Sequence, residues 1–353
     1  MMKAKLILKD GSVFEGFSFG SETGTSGEVV FNTGMVGYPE TMTDPSYRGQ
    51  ILVMTYPLVG NYGVPSATNA DDFFKYFESG AIQITALIVS EQCKDFSHFS
   101  ATKSLSDWMK ENNVPGIYGI DTRALTKKLR ASGTMLGKII VDETSNIEFD
   151  DPNTRNLAAE VSVKEPIKYG SGEKTVIVVD CGVKNNIIRS FVNRGVSVLR
   201  VPWNYNFSDT AADGILISNG PGDPKMCTDT IANVRAALAD SRPILGICLG
   251  SQILALAAGA DTYKLKYGHR GQNQPCVEMG TKKCFITSQN HGFAVDTKTL
   301  PEDWREWFAN DNDDTNEGII HISKPFFGAQ FHPEGAPGPD DSEFIFDMFI
   351  RSL

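Results

Sequence analysis

No C-x-x-C pair occurs among the six cysteines (Cys93, Cys181, Cys227, Cys248, Cys276, Cys284). Zinc-ribbon and dithiol redox patterns are therefore excluded, and free thiols suit a reducing compartment. Only five histidines occur in 353 residues, so any general base has few candidates. There is no block of like charge, and the balance is acidic, with a net charge of −10; a phosphate backbone or an anionic membrane surface is an unsuitable partner. The longest apolar stretch, 244–260, is interrupted by Gly246, Gly250, Ser251, Gln252 and Gly259, and falls short of the about 20 apolar residues that span a bilayer. Near the N-terminus Leu6–Leu8 runs at once into Lys-Asp-Gly, so no secretory h-region is read and a cytoplasmic location is expected. No Walker-type G-x-x-x-x-G-K-[ST] loop and no solenoid-period repeat is present.

What is present reads as an α/β chain. Strands are expected at 5–8 and 12–19 around Asp10-Gly11, a dipeptide suited to a tight hairpin. A further strand from Val29 enters a glycine-punctuated loop, and Thr43-Asp-Pro-Ser-Tyr-Arg-Gly-Gln forms a second turn-rich segment before a strand at 51–56. On residue types alone these loops are solvated turns as readily as binding surfaces. Helices are expected at 71–78 and 102–112, a buried strand at 81–89, a helix from Thr122 capped by Asp121 and ended by Gly133, and a strand at 135–141. Residues 1–150 thus form a strand-rich N-terminal α/β domain. Periodicity then fades into polar residues, placing a linker at 151–174.

Residues 175–353 carry fully apolar strands (176–179, 196–201, 215–218, 244–247) alternating with helices (185–194, 229–239 and one after residue 248). That pattern predicts an open, mostly parallel sheet with helices on both faces. Ligands bind such sheets beyond the carboxyl ends of the strands. Three of those ends are suggestive: Asp180-Cys-Gly, Asn219-Gly-Pro-Gly-Asp-Pro and Cys248-Leu-Gly. The last is the most specific, because Gly246, Cys248 and Gly250 follow a β-branched run and precede a helical pattern, which is a nucleophile elbow. A sulfur at the first turn of a helix also feels unpaired backbone N–H groups, which favour thiolate. Cys181 lacks the preceding glycine and is read as core.

The Asn219–Pro224 loop is stiff and lets backbone amides approach a ligand, although a tight connection explains it equally well. If Cys248 attacks an acyl carbon, the amides of Gly222 and Leu249 are placed to form an oxyanion hole. For the base, Phe331-His-Pro-Glu puts His332 and Glu334 on one face if the backbone is extended, with Glu334 able to orient the imidazole. Alone the tripeptide is a weak signal; an elbow cysteine in the same domain strengthens it. The acidic loop from Asp311 fails as a calcium loop, with Asn316 at position six and Ile322 at position twelve, and no metal-ligand set is read.

Gly246-Ile-Cys-Leu-Gly-Ser-Gln together with Phe331-His-Pro-Glu resembles the triad-type glutamine amidotransferases. Asn219-Gly-Pro-Gly-Asp-Pro and Gln289-Asn-His-Gly-Phe narrow the resemblance to the glutaminase (small) subunits of carbamoyl phosphate synthetases. In the first half Gly27-Glu-Val-Val-Phe-Asn-Thr-Gly-Met-Val-Gly-Tyr, Thr43-Asp-Pro-Ser-Tyr and Gly119-Ile-Asp-Thr-Arg-Ala-Leu-Thr agree. The resemblance implies a triad of Cys248, His332 and Glu334, an oxyanion hole from Gly222 and Leu249, and L-glutamine held by Ser46, Gly220, Gln252, Asn290, Gly292 and Phe293. It also implies a large-subunit partner that takes ammonia, bicarbonate and ATP to carbamoyl phosphate, for arginine and pyrimidine biosynthesis. No cofactor is expected in this chain; ATP and magnesium belong on the large subunit.

Three positions depart from the family. Many relatives have histidine where this chain has Ser251, and Gln272 and Gln274 replace a glycine and a histidine. None is a triad member. Two other readings stand beside this one. A glutaminase of another synthetase would share the triad domain but not the N-terminal segments, and a non-catalytic regulatory subunit would not need an intact Cys248, His332 and Glu334.

Overall fold

The structure is a computed structural model that describes residues 2–66, 75–141, 146–240 and 242–353. The chain divides into two compact units, Met1–Thr154 and Arg155–Leu353.

The strands of the first unit are β1 (Lys3–Leu8), β2 (Val13–Gly20), β3 (Thr25–Asn32), β4 (Gln50–Met54), β5 (Val64–Pro65), β6 (Ala86–Ile88), β7 (Ala101–Lys103), β8 (Pro115–Tyr118) and β9 (Met135–Ile140). Seven of them close a barrel in the order β1-β2-β8-β6-β4-β3-β9, and β5 pairs with β7 as a separate ribbon. The hairpin at Asp10-Gly11 forms as its residues require: Ile7 faces Val13, Gly11 has φ 86°, and the Ser12 amide donates to Asp10 Oδ1 at 3.0 Å. Helices α1 (Tyr38–Thr43), α2 (Leu105–Glu111) and α3 (Thr122–Ser132) complete the unit. Asp121 caps α3 by accepting from the Ala124 amide at 2.8 Å, and Gly133 ends it at φ 93°.

Three local expectations change. The strand expected at 81–89 is in the ladder only at Ala86–Ile88, because the amides of Gln83 and Thr85 are taken by the carbonyls of Met42 and Gln50. The helix expected from 102 begins at Leu105, since Ala101–Lys103 pairs with β5 and Ser104 supplies the cap. The helix expected at 71–78 lies, in its first half, outside the described residues, and 75–78 are turn and bend.

In the second unit the strands are β10 (Ile167–Tyr169), β11 (Thr175–Asp180), β12 (Ser197–Pro202), β13 (Gly214–Ile217), β14 (Ile244–Ile247), β15 (Thr262–Glu278), β16 (Cys284–Val295), β17 (Trp304–Asn310), β18 (Asn316–His321) and β19 (Phe326–Ala329). The helices are α4 (Leu157–Val161), α5 (Asn185–Val192), α6 (Thr228–Ala237), α7 (Leu249–Ala258) and α8 (Phe344–Ser352). The ten strands form one sheet in the order β10-β12-β11-β13-β14-β19-β18-β17-β15-β16. Its centre, from β12 through β19, is parallel, and β18 through β16 form an antiparallel wing. The stretch 151–174, read as linker, carries α4 and the edge strand β10.

The parallel centre explains its own apolar sequence. Ile177, Val179, Ile215, Ile217 and Ile244 pack with Val234 of α6 and with Ile253, Leu254 and Ala257 of α7. Val176, Val178, Leu216 and Leu245 are equally buried and point to the other face by the alternation of the pleat. On that side the Cβ direction of Gly214 meets Phe349 of α8, and Phe191 of α5 packs edge-on against Phe346 and Phe349 at 5.3 and 6.0 Å. Each such aliphatic side chain contributes about 1.5–3 kcal/mol through burial. The sheet therefore holds its strand ends firmly, and β14 delivers Cys248.

Candidate active site

Cys248 ends β14 and caps α7, with φ 53° and ψ −107°. This is a left-handed backbone that costs a non-glycine residue on the order of 1–3 kcal/mol. Surrounding contacts hold it there: the Cys248 amide donates to Ala329 O at 2.8 Å, and its carbonyl accepts from the Ser251 amide at 3.0 Å. The glycines on either side are required by proximity, not only by freedom. A Cβ on Gly250 would overlap the carbonyl of Ile217, and one on Gly246 would press on the Gly250 carbonyl.

His332 and Glu334 follow β19, and here the backbone differs from the extended form expected. Residues 333–334 are a turn, closed by the Gly335 amide donating to His332 O at 3.1 Å. Pro333 and the left-handed Gly335 (φ 61°) favour the turn over a continued strand. It still brings the pair together: His332 Nδ1 lies 2.7 Å from Glu334 Oε1. His332 is anchored on the sheet by its amide, which donates to Ser288 O at 2.9 Å.

Both groups are 2% exposed. Burial, the strongest single influence on His332, disfavours its charged form, but the Glu334 carboxylate and then the Cys248 sulfur override it and push its pKa up to about 10. Burial would likewise raise Glu334; the Lys184 ammonium and then His332 hold it down at about 2. Lys184 is the residue that sequence reading missed. Its Nζ lies 3.0 Å from Glu334 Oε1, with the side chain 3% exposed, and its amide donates to Asn219 Oδ1 at 3.0 Å. Nothing local marked it, since Glu334 lies far along the chain.

His332 Nε2 is buried and makes no hydrogen bond among the described residues, which leaves it available to the sulfur whose charge it feels. Cys248 Sγ donates to Asn290 O at 3.6 Å and accepts from Gln330 Nε2 at 3.7 Å. Gln330 is a second residue missed by sequence reading. Gln252 Nε2 donates to Phe293 O at 2.8 Å and to Gln330 Oε1 at 2.9 Å. Asn290, Gly292 and Phe293 lie on β16.

Gly220 lies where a Cβ would overlap the carbonyl of Cys181 and crowd Leu249, so its loop runs against the first turn of α7. Gly222 is left-handed at φ 87°. The Leu249 amide, first in its helix, has no partner within that helix. Cys181 is fully buried. Ser46 sits in the first unit, in a 3₁₀ turn whose Asp44 Oδ1 accepts from the Ser46 amide at 2.9 Å, and its part in glutamine binding rests on the resemblance. Ser251 is fully buried with no partner for Oγ among the described residues. Gln272 and Gln274 fall at an irregularity in the β15–β16 register.

A second buried cluster adjoins β16. His291 Nδ1 lies 2.8 Å from Phe293 O and its Nε2 3.3 Å from Glu317 Oε1. His269 Nδ1 lies 3.1 Å from the same oxygen, and its Nε2 is 2.8 Å from Asp313 Oδ2. Burial pushes the pKa of His291 down, whereas at His269 burial is outweighed by Glu317 and Asp313, which raise it.

Residues 177–352 match the family model described as "Glutamine amidotransferase class-I", the class that an elbow cysteine beside a histidine–carboxylate pair defines. The first unit is more particular: residues 6–139 match "Carbamoyl-phosphate synthase small chain, CPSase domain". Over 99% of its length the chain is 54% identical to "Multifunctional protein CAD" of Squalus acanthias and 52% identical to "Carbamoyl-phosphate synthase [ammonia], mitochondrial" of Homo sapiens. It is 51% identical to "Multifunctional protein pyr-3" of Neurospora crassa. The chain belongs to the carbamoyl-phosphate synthase small-chain family and carries its glutamine amidotransferase domain. It spans 16, 24 and 21% of the length of those three relatives.

Proposed function

We propose that the chain hydrolyses L-glutamine to supply ammonia for carbamoyl phosphate synthesis. The observation that carries this is the buried His332–Glu334 pair at 2.7 Å, with Nε2 left open toward the elbow cysteine. The Cys248 thiolate, paired with a His332 that already carries the proton, attacks the side-chain amide carbon, forming a C–S bond. The oxygen takes up negative charge and is held by the amides of Gly222 and Leu249. His332 gives the proton to the departing nitrogen, the C–N bond breaks, and ammonia and a thioester remain. His332 then takes a proton from water, which attacks the thioester and releases glutamate and the thiolate. Glu334 keeps Nδ1 protonated throughout, the role of the orienting carboxylate in such triads. Ser46, Gly220, Gln252, Asn290, Gly292 and Phe293 hold the substrate in this reading.

One relative is named as an ammonia-using synthase, so likeness alone leaves the nitrogen source open. The complete triad supports glutamine. The synthetase that consumes the ammonia, with its ATP and magnesium, is assigned to a large chain. The relatives named as multifunctional proteins are several times longer than this chain, so that chain is either a separate subunit or a fused one. Cytoplasmic residence and a place in arginine and pyrimidine biosynthesis belong to the same proposal. No helix among the described residues is long and apolar enough to cross a membrane.

The deciding experiment supplies amide-¹⁵N glutamine, bicarbonate and ATP to the chain with its large-chain partner. ¹⁵N in carbamoyl phosphate is expected, and its absence from a complex that still uses free ammonia would overturn the reading. A glutamine-like electrophile should label Cys248 before the other five thiols.

A further inference from the structure

The second histidine cluster supplies none of the residues given a role in that chemistry. We propose that His269, His291 and Glu317 form a binding site for a divalent transition cation, zinc in the first instance, which clamps β15, β16 and β18 together. This inference is independent of the glutaminase reading.

Hydrogen bonding on the outer side of each ring points to it. With Phe293 O at 2.8 Å, His291 carries its hydrogen on Nδ1, so Nε2 presents a lone pair. With Asp313 Oδ2 at 2.8 Å, His269 carries a hydrogen on Nε2, so its neutral ring offers the Nδ1 lone pair, and a bound cation takes the place of the second proton that Glu317 and Asp313 otherwise favour. A weak contact at 3.4 Å from Asn310 Nδ2, a donor, agrees with that tautomer. Both inner nitrogens then face one carboxylate oxygen, Glu317 Oε1, at 3.3 and 3.1 Å. Three potential ligand atoms converge, and His291 Nε2 also lies 3.4 Å from Gln289 Oε1. Glu317 is fully buried, and its other oxygen, Oε2, has no hydrogen-bond partner among the described residues.

A carbonyl or carboxylate behind each imidazole is how metal-ligating histidines are oriented and made more basic. Two imidazoles and a carboxylate are a three-ligand set that suits zinc, with a fourth position for water. The ligand atoms lie within 4.8 Å of one another; zinc bonds of about 2.0–2.2 Å require shifts of under roughly 1 Å to close that spread. The acidic pair Glu317 and Asp313 supplies the negative charge that a divalent ion balances.

The site would steady the neighbouring active-site segments. His291 lies between Asn290 and Gly292 on β16, and Glu317 O accepts from the Gln330 amide at 2.9 Å, whose side chain reaches Cys248 Sγ.

The test is a calorimetric titration of the metal-stripped chain with zinc chloride, with cobalt(II) absorption reporting tetrahedral ligation. One equivalent should bind, and both His269→Gln and Glu317→Gln should weaken it by at least roughly 100-fold. Cys248→Ser should bind as the unaltered chain does, which separates this site from zinc caught by the active-site thiol. If one ligand variant fails to fold, the other carries the result, and Asp313→Asn, at a half-exposed position, should still weaken binding roughly 10-fold. No stoichiometric binding, binding unchanged in the folded variants, or binding lost with Cys248 would each overturn the proposal.

Discussion

The second unit holds two buried histidine–carboxylate networks on one sheet, and they differ in which ring nitrogen is tied. At His332 a carboxylate takes Nδ1 and favours the charged imidazole against burial and against the lysine behind that carboxylate, and Nε2 is left to a sulfur. At His291 a carbonyl takes Nδ1, burial dominates, and the neutral ring is favoured. On the two proposals made above, the same residue types serve as a proton carrier in one place and an electron-pair donor in the other. The fixed partner of one nitrogen decides what the second can do.

The widest gap between the two networks should appear when one member of each is altered. Cys248→Ala should lower ammonia release from glutamine by roughly 10⁴-fold or more, as loss of a triad nucleophile does, while synthesis from free ammonia in the partnered enzyme persists. Ammonia release that survives Cys248→Ala would remove the first network from the chemistry.

Glu334→Gln follows, with roughly a 10³- to 10⁴-fold loss of turnover. It also removes the carboxylate beside the Lys184 ammonium, which keeps a neutral acceptor in Gly335 O, and breaking a buried pair costs about 3–5 kcal/mol, to be read by denaturant unfolding. Glu317→Gln in the second network should change turnover no more than about tenfold, and an equal loss in both variants would erase the contrast.

The pH dependence comes next. Glu334 is depressed from 4.5 to about 2 in the folded chain, so its contribution is complete above the unfolded value and is lost as pH falls from about 4.5 toward 2. His332 is raised from 6.5 to about 10; its contribution is present below 6.5 and is lost as pH rises through about 10. The two windows report one coupled interaction from opposite ends. Stability of Glu334→Gln, measured by urea unfolding across pH, should be flatter than that of the unaltered chain in both. The smallest effect is expected of Asp313→Asn, which removes a half-exposed partner of His269 and should cost under about 1 kcal/mol.

How far these networks could be read from sequence follows from chain distance. The elbow is local, since Gly246, Cys248 and Gly250 sit within five positions, and a short β-branched run before a helical pattern has few other meanings. The Asp10-Gly11 hairpin and the Asp121 cap were legible for the same reason. Glu334 was within reach because it stands two residues from His332, although the connecting backbone is a turn. Lys184 lies 150 and 151 residues before its partners Glu334 and Gly335, and a lysine ahead of a helix ordinarily faces water. The second cluster depends on β15 pairing with β16 so that His269 faces His291, across register shifts that no local periodicity encodes, and on Glu317 arriving from β18.

The close crossings at the elbow also set when the enzyme comes into being. Gly250 passes over the Ile217 carbonyl with no room for a methyl group, and the Cys248 amide is held by Ala329, so the left-handed cysteine is supported only after β13, β14 and β19 have paired. Ile217 and Ala329 lie 31 residues before and 81 residues after Cys248, and a nascent chain without the later strand lacks the carbonyl that holds the Cys248 amide. Activation is thereby written into the order of assembly: reactivity toward a glutamine-like electrophile should emerge late in refolding, with the last central strand, and such a reagent would serve as a clock for completion of the sheet.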